Sequence, residues 1–246
     1  MRHVSISIVI RGILITLKNL PRGEKKHVYV RQMFDRIAWR YDFMNRLITF
    51  GFDQYWRKKG LKIVNAGRRD VLLDIACGTG DLVELALSMG ATPIGVDFSP
   101  KMLQIAKSRV INANFIRADA CLLPVKDASV DIVTCGFALR NFTDLDKTFK
   151  EMARVLAPGG RLMFLEVHAP ENKFLKLGHS FYFEKVVPFI GALLSDKKAY
   201  SYLPQSFAYL PPTDELFDLL HKAGFIDLCR KTCFPNAAQL ITGIKK

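Results

Sequence analysis

The 246-residue sequence is poor in the residues that staple small folds or hold metals. Its five cysteines (Cys77, Cys121, Cys135, Cys229 and Cys233) include no Cys-x-x-Cys pair, and its five histidines are scattered. That odd, unpatterned set excludes a disulfide framework and a zinc cluster, so no metal is expected and the chain reads as reduced and intracellular. No apolar run approaches the ~20 residues of a membrane-spanning helix. Arg11 separates Val4–Ile10 from Gly12–Leu17, and Val186–Leu194 is too short. No small-residue cleavage site follows the first runs, which argues against a signal peptide. Acids are missing before Glu24, so residues 1–29 read as a basic, apolar extension, either floppy or lying on a surface. A Gly-Lys-Ser/Thr phosphate loop is missing, as are the Asn/Asp-Pro-Pro-Tyr/Phe and Pro-Cys motifs of enzymes that act on nucleic-acid bases.

What is present is ordinary globular material. Half of the residues are apolar and 24% are charged, and a chain of this size buries ~70–75% of its unfolded surface without staples. The charge is uneven. Residues 1–70 hold 16 Lys and Arg against five Asp and Glu, and carry almost all of the net +13. Runs such as Arg57-Lys58-Lys59 and Arg68-Arg69 suit an anionic surface, membrane lipid or nucleic acid, unless they form a plain solvated face.

Apolar residues at helical spacing predict a helix over Val30–Leu47, and a second over Asp53–Ala66 ended by Gly67. From residue 70 the texture alternates. Strands are expected at Val71–Ala76, Thr92–Val96, Asn114–Arg117, Val130–Cys135 and Arg161–Val167. Between them helices are expected at Asp81–Met89, from Ser99-Pro100 to about Val110, and from Thr143-Asp144 to Leu156. Residues 170–205 interrupt the pattern as an insertion. A helix over Thr213–Ala223 and strands at Phe225–Cys233 and Leu240–Ile244 close the chain. The fold class is therefore α/β: one domain over 30–246 with a mostly parallel seven-stranded sheet, an antiparallel last strand and N-terminal helices over 30–69.

The sharpest local motif is Leu73-Asp74-Ile75-Ala76-Cys77-Gly78-Thr79-Gly80-Asp81, between a buried strand and a helix. Glycines there let backbone approach a nucleotide-like ligand, and the helix start offers free amides. Asp97, ending the next strand, is placed to accept from two ribose hydroxyls, with Phe98 beside it. A dinucleotide is disfavoured, because Val83 stands where its third glycine belongs and Asp74 would repel a pyrophosphate. A carboxylate at 74 suits a ligand bearing ammonium and sulfonium groups. Asp119 and Ala120 follow the third strand, where an acid can accept from an adenine amino group. Gly136-Phe137-Ala138-Leu139-Arg140-Asn141 leaves the fourth strand at the edge where open α/β sheets bind ligands.

Together these residues resemble a class I S-adenosylmethionine-dependent methyltransferase with a Rossmann-like fold, and more closely the ubiquinone/menaquinone biosynthesis C-methyltransferase family. The resemblance covers about residues 30–230. It rests on Tyr41-Asp42-Phe43-Met44-Asn45 with Gly51 and Trp56, and on Phe137-Ala138-Leu139-Arg140-Asn141. It rests further on Arg154-Val155-Leu156-Ala157-Pro158-Gly159-Gly160-Arg161-Leu162 running to Leu165-Glu166, on Tyr200-Ser201-Tyr202-Leu203 through Ser206, and on Ala223-Gly224-Phe225. Two stretches depart from the family. Phe52-Asp53-Gln54-Tyr55 lacks its usual basic residue or His, and Pro235-Asn236-Ala237 replaces a frequent glycine.

The resemblance implies S-adenosylmethionine as cofactor, with Thr79, Asp97, Asp119 and Ala120 at binding positions and the Gly78–Gly80 turn beneath the methionine portion. Asp74, Phe98 and Gly136 complete that candidate set. It implies methyl transfer to a ring carbon of a prenylated quinol, demethylmenaquinol or the ubiquinone-pathway benzoquinol, in respiratory quinone biosynthesis. Arg140 would stabilise the ionising ring oxygen, Asn141 orient water or that oxygen, and Tyr41 and Asp42 line the acceptor pocket. Each has a plainer reading: Tyr41 and Met44 as core, Asn141 as a helix cap, Arg140 as a bridge to Asp42. In the insertion, Phe174, Leu177, Phe181, Tyr182, Phe183 and Val186 lie among Lys173, Lys176 and Lys185. That face fits a membrane interface, a lid or a homodimer contact. With the basic first 70 residues it implies a cytoplasmic enzyme attached peripherally to the inner face of an anionic membrane. A different acceptor, a small molecule or RNA, is the alternative. RNA, and with it a nucleic-acid partner, is disfavoured because the basic runs are not interleaved with aromatics.

Overall fold

The computed structural model describes residues 6–10, 13–17, 21–168, 170, 177–178 and 181–246. Lys173, Phe174 and Lys176 of the expected amphipathic face lie outside the described residues, and the side chain of Phe183 is likewise not described.

Seven strands form the central sheet: β3 (Val71–Ile75), β4 (Thr92–Asp97), β5 (Asn114–Arg117), β6 (Val130–Gly136), β7 (Leu156–Val167), β8 (Phe225–Cys233) and β9 (Ala238–Lys245). Their order is β5-β4-β3-β6-β7-β9-β8. The first five are parallel, and β9 runs antiparallel to both β7 and β8. The chain thus leaves β3 toward one edge and returns at β6 toward the other. A crevice opens beyond the carboxyl ends of strands at such a reversal, and ligands bind there.

The apolar run of β3 is explained by burial on both faces. Leu73 and Ile75 face a core shared with Phe149 and Met152 of α5 (Leu145–Val155) and Leu216 and Leu220 of α8 (Thr213–Lys222). Leu72 faces the other side, with Trp56 and Leu61 of α2 (Phe52–Ile63) and Leu82 and Ala86 of α3 (Asp81–Ser88). Between β4 and β5 runs α4 (Pro100–Arg109), capped by Ser99 Oγ, which accepts from the Met102 amide at 3.1 Å.

Over the carboxyl edge of the sheet lies α1 (Gly23–Ile48). Val30, Met33, Ile37, Met44 and Ile48 pack against the insertion. There a π-helical turn (Tyr182–Val186) leads into α6 (Val187–Leu194) and α7 (Lys197–Ser206). The helix starts at Gly23, not at the expected Val30. Its N-cap Arg22 makes no side-chain capping bond, and the first turn is tied down by tertiary contacts instead. Lys26, nearly buried, donates to the Phe142 carbonyl at 2.7 Å and lies 3.8 Å from the Tyr209 ring centroid.

Two further differences have local causes. The Pro158-Gly159-Gly160 segment, which lies before the strand expected at Arg161–Val167, is taken into β7. Gly159 adopts φ +74°, and the pairing with β6 shifts register between Val130 and Ile132. In the amino-terminal extension, β1 (Ile6–Ile10) and β2 (Ile13–Leu17) pair antiparallel as a separate two-stranded sheet.

Candidate active site

The glycine turn is built by alternating left-handed backbone. Ala76, Gly78 and Gly80 take φ of +56°, +56° and +91°. These values fold the chain off β3 and into α3 within five residues, at little strain for the two glycines and at some cost for Ala76, whose Cβ disfavours that region. Beneath the turn, Gly95 of β4 leaves the necessary space. A Cβ there would lie 2.6 Å from the Phe115 ring and 2.9 Å from Cys77 Sγ.

Asp97 holds the turn to β4. One carboxylate oxygen accepts from the Gly78 amide and the other from the Ser99 amide, each at 2.8 Å. Burial pushes its carboxyl up to about 6, against the pull of those amides. Asp74 accepts from Thr134 Oγ at 2.7 Å and is pushed by burial to about 7.

Two adjoining cavities lie above this edge, and α1 roofs both. The smaller, about 70 Å³, is lined by Gly78, Asp97, Phe98, Asp119, Ala120 and Gly136 of the expected cofactor set. Asp74, Thr79 and Gly80 are not in its lining. Asp74 sits behind the turn, and the Thr79 hydroxyl points away to donate to Asp42 at 2.5 Å. Asp42 also pairs with Arg109 at 2.7 Å and lines neither cavity, so it does not line the acceptor pocket as expected. Its charge belongs to a network that locks the turn to α1.

The larger cavity, 450 Å³, is walled mainly by apolar and aromatic side chains, with Arg140 and Asn141 among its few polar groups. Phe34, Tyr41, Phe137 and Asn141 line both cavities, so a ligand in one faces a ligand in the other. Tyr41 is half-buried, and desolvation raises its phenol above the ordinary value. Met44 is core, as the plainer reading has it. Asn141 does not cap the next helix. Asp144 does that, accepting from the Lys147 amide at 3.0 Å, while Asn141 Oδ1 accepts from the Tyr202 hydroxyl at 3.2 Å. Arg140 does not bridge to Asp42. Its Nη1 donates to Glu166 and its Nε donates to Ser206 Oγ at 3.1 Å. Both stretches that depart from the family reach this cavity, Phe52 and Asp53 from one side and Pro235 and Ala237 from the other.

Sequence reading missed two residues. His27, in the first turn of α1, lines the smaller cavity, 3.4 Å from Asp119 and edge-on to Phe98 at 5.3 Å. No local pattern marks it, because only the long reach of α1 brings it to β5's end. Glu166 stands in a family-like stretch, but no spacing reveals that it meets Arg140.

The smaller cavity has a donor set suited to one kind of guest. Two carboxylates, Asp97 and Asp119, line it, a third lies behind, and among the described residues no Lys or Arg does. Phosphate would be repelled there, whereas a cationic nucleoside with a ribose diol and an adenine amino group matches the acceptors. Fold and site together define a class I S-adenosylmethionine-dependent methyltransferase. Solved structures agree on the fold. A phosphoethanolamine N-methyltransferase of Haemonchus contortus, in complex with S-adenosyl-L-methionine, superposes with a TM-score of 0.65 at 18% identity, covering 87% of this chain and 59% of that longer one. A possible histamine N-methyltransferase of Thermotoga maritima gives 0.63 at 23% identity, over 88% of this chain and 99% of its own.

Within that class the chain belongs to the ubiE/COQ5 methyltransferase family, whose pattern matches residues 22–241. The match takes in the first turns of α1, beyond the expected start at residue 30. A demethylmenaquinone methyltransferase of Roseiflexus sp. (strain RS-1) is 42% identical over 232 residues, 92% of this chain and 98% of that protein. The ubiquinone/menaquinone biosynthesis C-methyltransferase UbiE of Geobacter sulfurreducens is 37% identical over 242 residues, 94% of this chain and 93% of its own.

Proposed function

We infer that the protein methylates a ring carbon of a prenylated quinol in respiratory quinone biosynthesis, demethylmenaquinol or the corresponding benzoquinol. The observation that carries this reading is the 450 Å³ apolar cavity beside the candidate cofactor site, with one guanidinium, that of Arg140, in its wall among the described residues. Its volume lies within the ~300–1,000 Å³ of sites that enclose a small ligand, and its walls suit an aromatic ring with the first part of an isoprenoid tail. The names of the relatives agree with it.

S-adenosylmethionine, when bound, supplies an electrophilic methyl group together with its own leaving group. Asp97 would accept from the ribose hydroxyls and Asp119 from the adenine amino group, flanked by Phe98 and Ala120. Gly78 and Gly136 leave room for the methionine portion. Asp74 adds negative charge from behind, while Thr79 and Gly80 shape the turn. The protein's remaining tasks are to place the ring and to make its carbon nucleophilic. Arg140, always charged, stabilises the ring oxygen as its proton leaves to water. Asn141, held by Tyr202, orients that oxygen or the water. Tyr41, at the junction of the two cavities, positions the ring against the methyl donor. Asp42 acts at one remove, through Thr79.

A tailed quinol resides in the bilayer, and the exposed apolar side chains of α1 and the insertion suit a visit there by an otherwise cytoplasmic enzyme. Trp39, Phe43 and Phe50 of the α1 end are 61–77% exposed, and Leu177, Phe181, Phe189 and Leu193 of the insertion are 64–73% exposed. The two groups adjoin. Phe50 meets the Tyr182 ring at 6.0 Å, and Arg40 donates to the Leu194 carbonyl. Arg36, Arg40 and Lys185 stand among them, an apolar rim with basic flanks suited to the inner face of an anionic membrane. A second copy of the chain would compete for the same rim as a homodimer contact.

The test of the acceptor is turnover of a short-chain demethylmenaquinol by the full chain, with mass analysis of the product, beside a tRNA substrate. Methylation of the quinol is expected, with Arg140→Lys losing turnover by about 100-fold at unchanged cofactor affinity, because lysine lacks the planar fork. Methylation of tRNA alone would replace this reading with the alternative.

A further inference from the structure

Glu166 lies one residue from the carboxyl end of β7, paired in register with Gln239 of β9, and is fully buried. Its Oε1 accepts from Arg140 Nη1 and from the Val167 amide at 2.9 Å, and its Oε2 has no hydrogen-bond partner among the described residues. A buried carboxylate left half-satisfied is a poor stabilising device, since desolvation offsets the attraction of the pair. Its effect is on geometry. A guanidinium is planar, and two bonded nitrogens fix both its plane and its direction. Nη1 is fixed by Glu166, and Nε by Ser206 Oγ, whose own proton goes to the Leu203 carbonyl at 2.7 Å. Nη2 has no hydrogen-bond partner among the described residues, and Arg140 lines the acceptor cavity beside Asn141.

We propose that Glu166 is the positioning residue of the methyl transfer, holding Arg140 so that its one uncommitted nitrogen meets the ring oxygen of the acceptor. The proposal rests on the quinol reading above. Glu166 touches neither ligand. It sets where the positive charge stands when the ring hydroxyl releases its proton, and misplacing that charge by about 1 Å is enough to cost ~100-fold in rate. Ser206 does the same from the other side with a neutral, weaker bond.

The test compares wild type, Glu166→Gln, Glu166→Asp and Ser206→Ala on a short-chain demethylmenaquinol across pH, with cofactor affinity measured by calorimetry. Glu166→Gln is expected to lower kcat by about 10- to 100-fold, with cofactor affinity changed less than about twofold. The acid limb of its pH–rate profile should move to higher pH, because the ring hydroxyl ionises less readily without an aimed guanidinium. Glu166→Asp should recover part of the rate, and Ser206→Ala should show a smaller shift in the same direction. Adding Arg140→Lys to Glu166→Gln should cost little beyond Arg140→Lys alone. Wild-type kcat and pH profile in Glu166→Gln would overturn the proposal, as would a pH-independent loss additive with Arg140→Lys. If Glu166→Gln does not fold, the pH shift in Glu166→Asp and Ser206→Ala decides, and its absence from both overturns the proposal. A wild-type enzyme inactive on the quinol would refute the acceptor reading instead, a separate outcome.

Discussion

Five consecutive residues of α1 show how one helical turn distributes work. Tyr41 and Asn45 line the larger cavity, Asp42 turns to Thr79 and Arg109, Phe43 stands exposed, and Met44 is fully buried. A sequence motif of that kind signals a helix with something to bind on several sides, without saying which side is which. Asp97 was legible because strand, turn and acid follow one another in the chain. His27 and Glu166 were not, since each acquires its partner from a distant element. For Asp97 the pH dependence can be worked out. Its folded value of about 6 lies above the ordinary 3.8, because burial disfavours the charged form. On the proposed reading ribose hydroxyls donate to the ionised carboxylate, so cofactor binding is expected to favour proton loss and to tighten as pH rises through 6. Calorimetry should show affinity improving by about tenfold between pH 5 and pH 7, with Asp97→Asn flattening the profile. An equally steep profile in that variant would remove Asp97 from the ribose.

At the scale of elements, strands were the easiest to read. Those of the sheet centre are buried on both faces and spell out continuous apolar runs, so β3, β4 and β6 fall within a residue of expectation. Errors gathered where tertiary contacts replace local signals. The start of α1 has no capping side chain, and β7 absorbs a Pro-Gly-Gly segment that would break an isolated strand. The start of α1 also borders the smaller cavity. It carries His27 over a space of about 70 Å³, smaller than the ~300 Å³ at which small-ligand sites begin. The proposed cofactor reading therefore predicts that the amino-terminal half of α1 lifts to admit the cofactor and settles once it is bound. Hydrogen exchange should be fast over Gly23–Phe34 in the free protein and slow by at least about tenfold with saturating cofactor. Protection confined to the glycine turn, with α1 unchanged, would show that the roof is rigid.

Taken whole, the molecule joins a nearly neutral catalytic body to a basic front. Of the net +13, residues 71–246 hold 20 Lys and Arg against 18 Asp and Glu, so the excess lies ahead of β3. No helix among the described residues is long and apolar enough to cross a membrane. The proposed membrane reading predicts reversible attachment, with about 1 kcal/mol per basic residue that reaches an anionic surface, screened by salt. Vesicle co-sedimentation should rise with anionic lipid and fall with salt, and Trp39→Ser with Phe189→Ser should weaken it at every salt concentration. Equal sedimentation with neutral vesicles would refute the electrostatic part, and an unchanged profile in the double variant would remove the rim from the contact. Charge was the one whole-molecule property plain in the sequence. The apolar rim was not, because α1 and the insertion meet only in the fold.

The central claim is that methyl goes to carbon, and isotopic labelling tests it most directly. The full chain, S-adenosylmethionine labelled with ¹³C in its methyl group, and a short-chain demethylmenaquinol kept reduced should yield one product. Its carbon spectrum should place the label on the quinone ring as a carbon-bound methyl that survives oxidation to the quinone. A label found on oxygen as a methyl ether, or no transfer to the quinol while cofactor binds normally, would contradict the account.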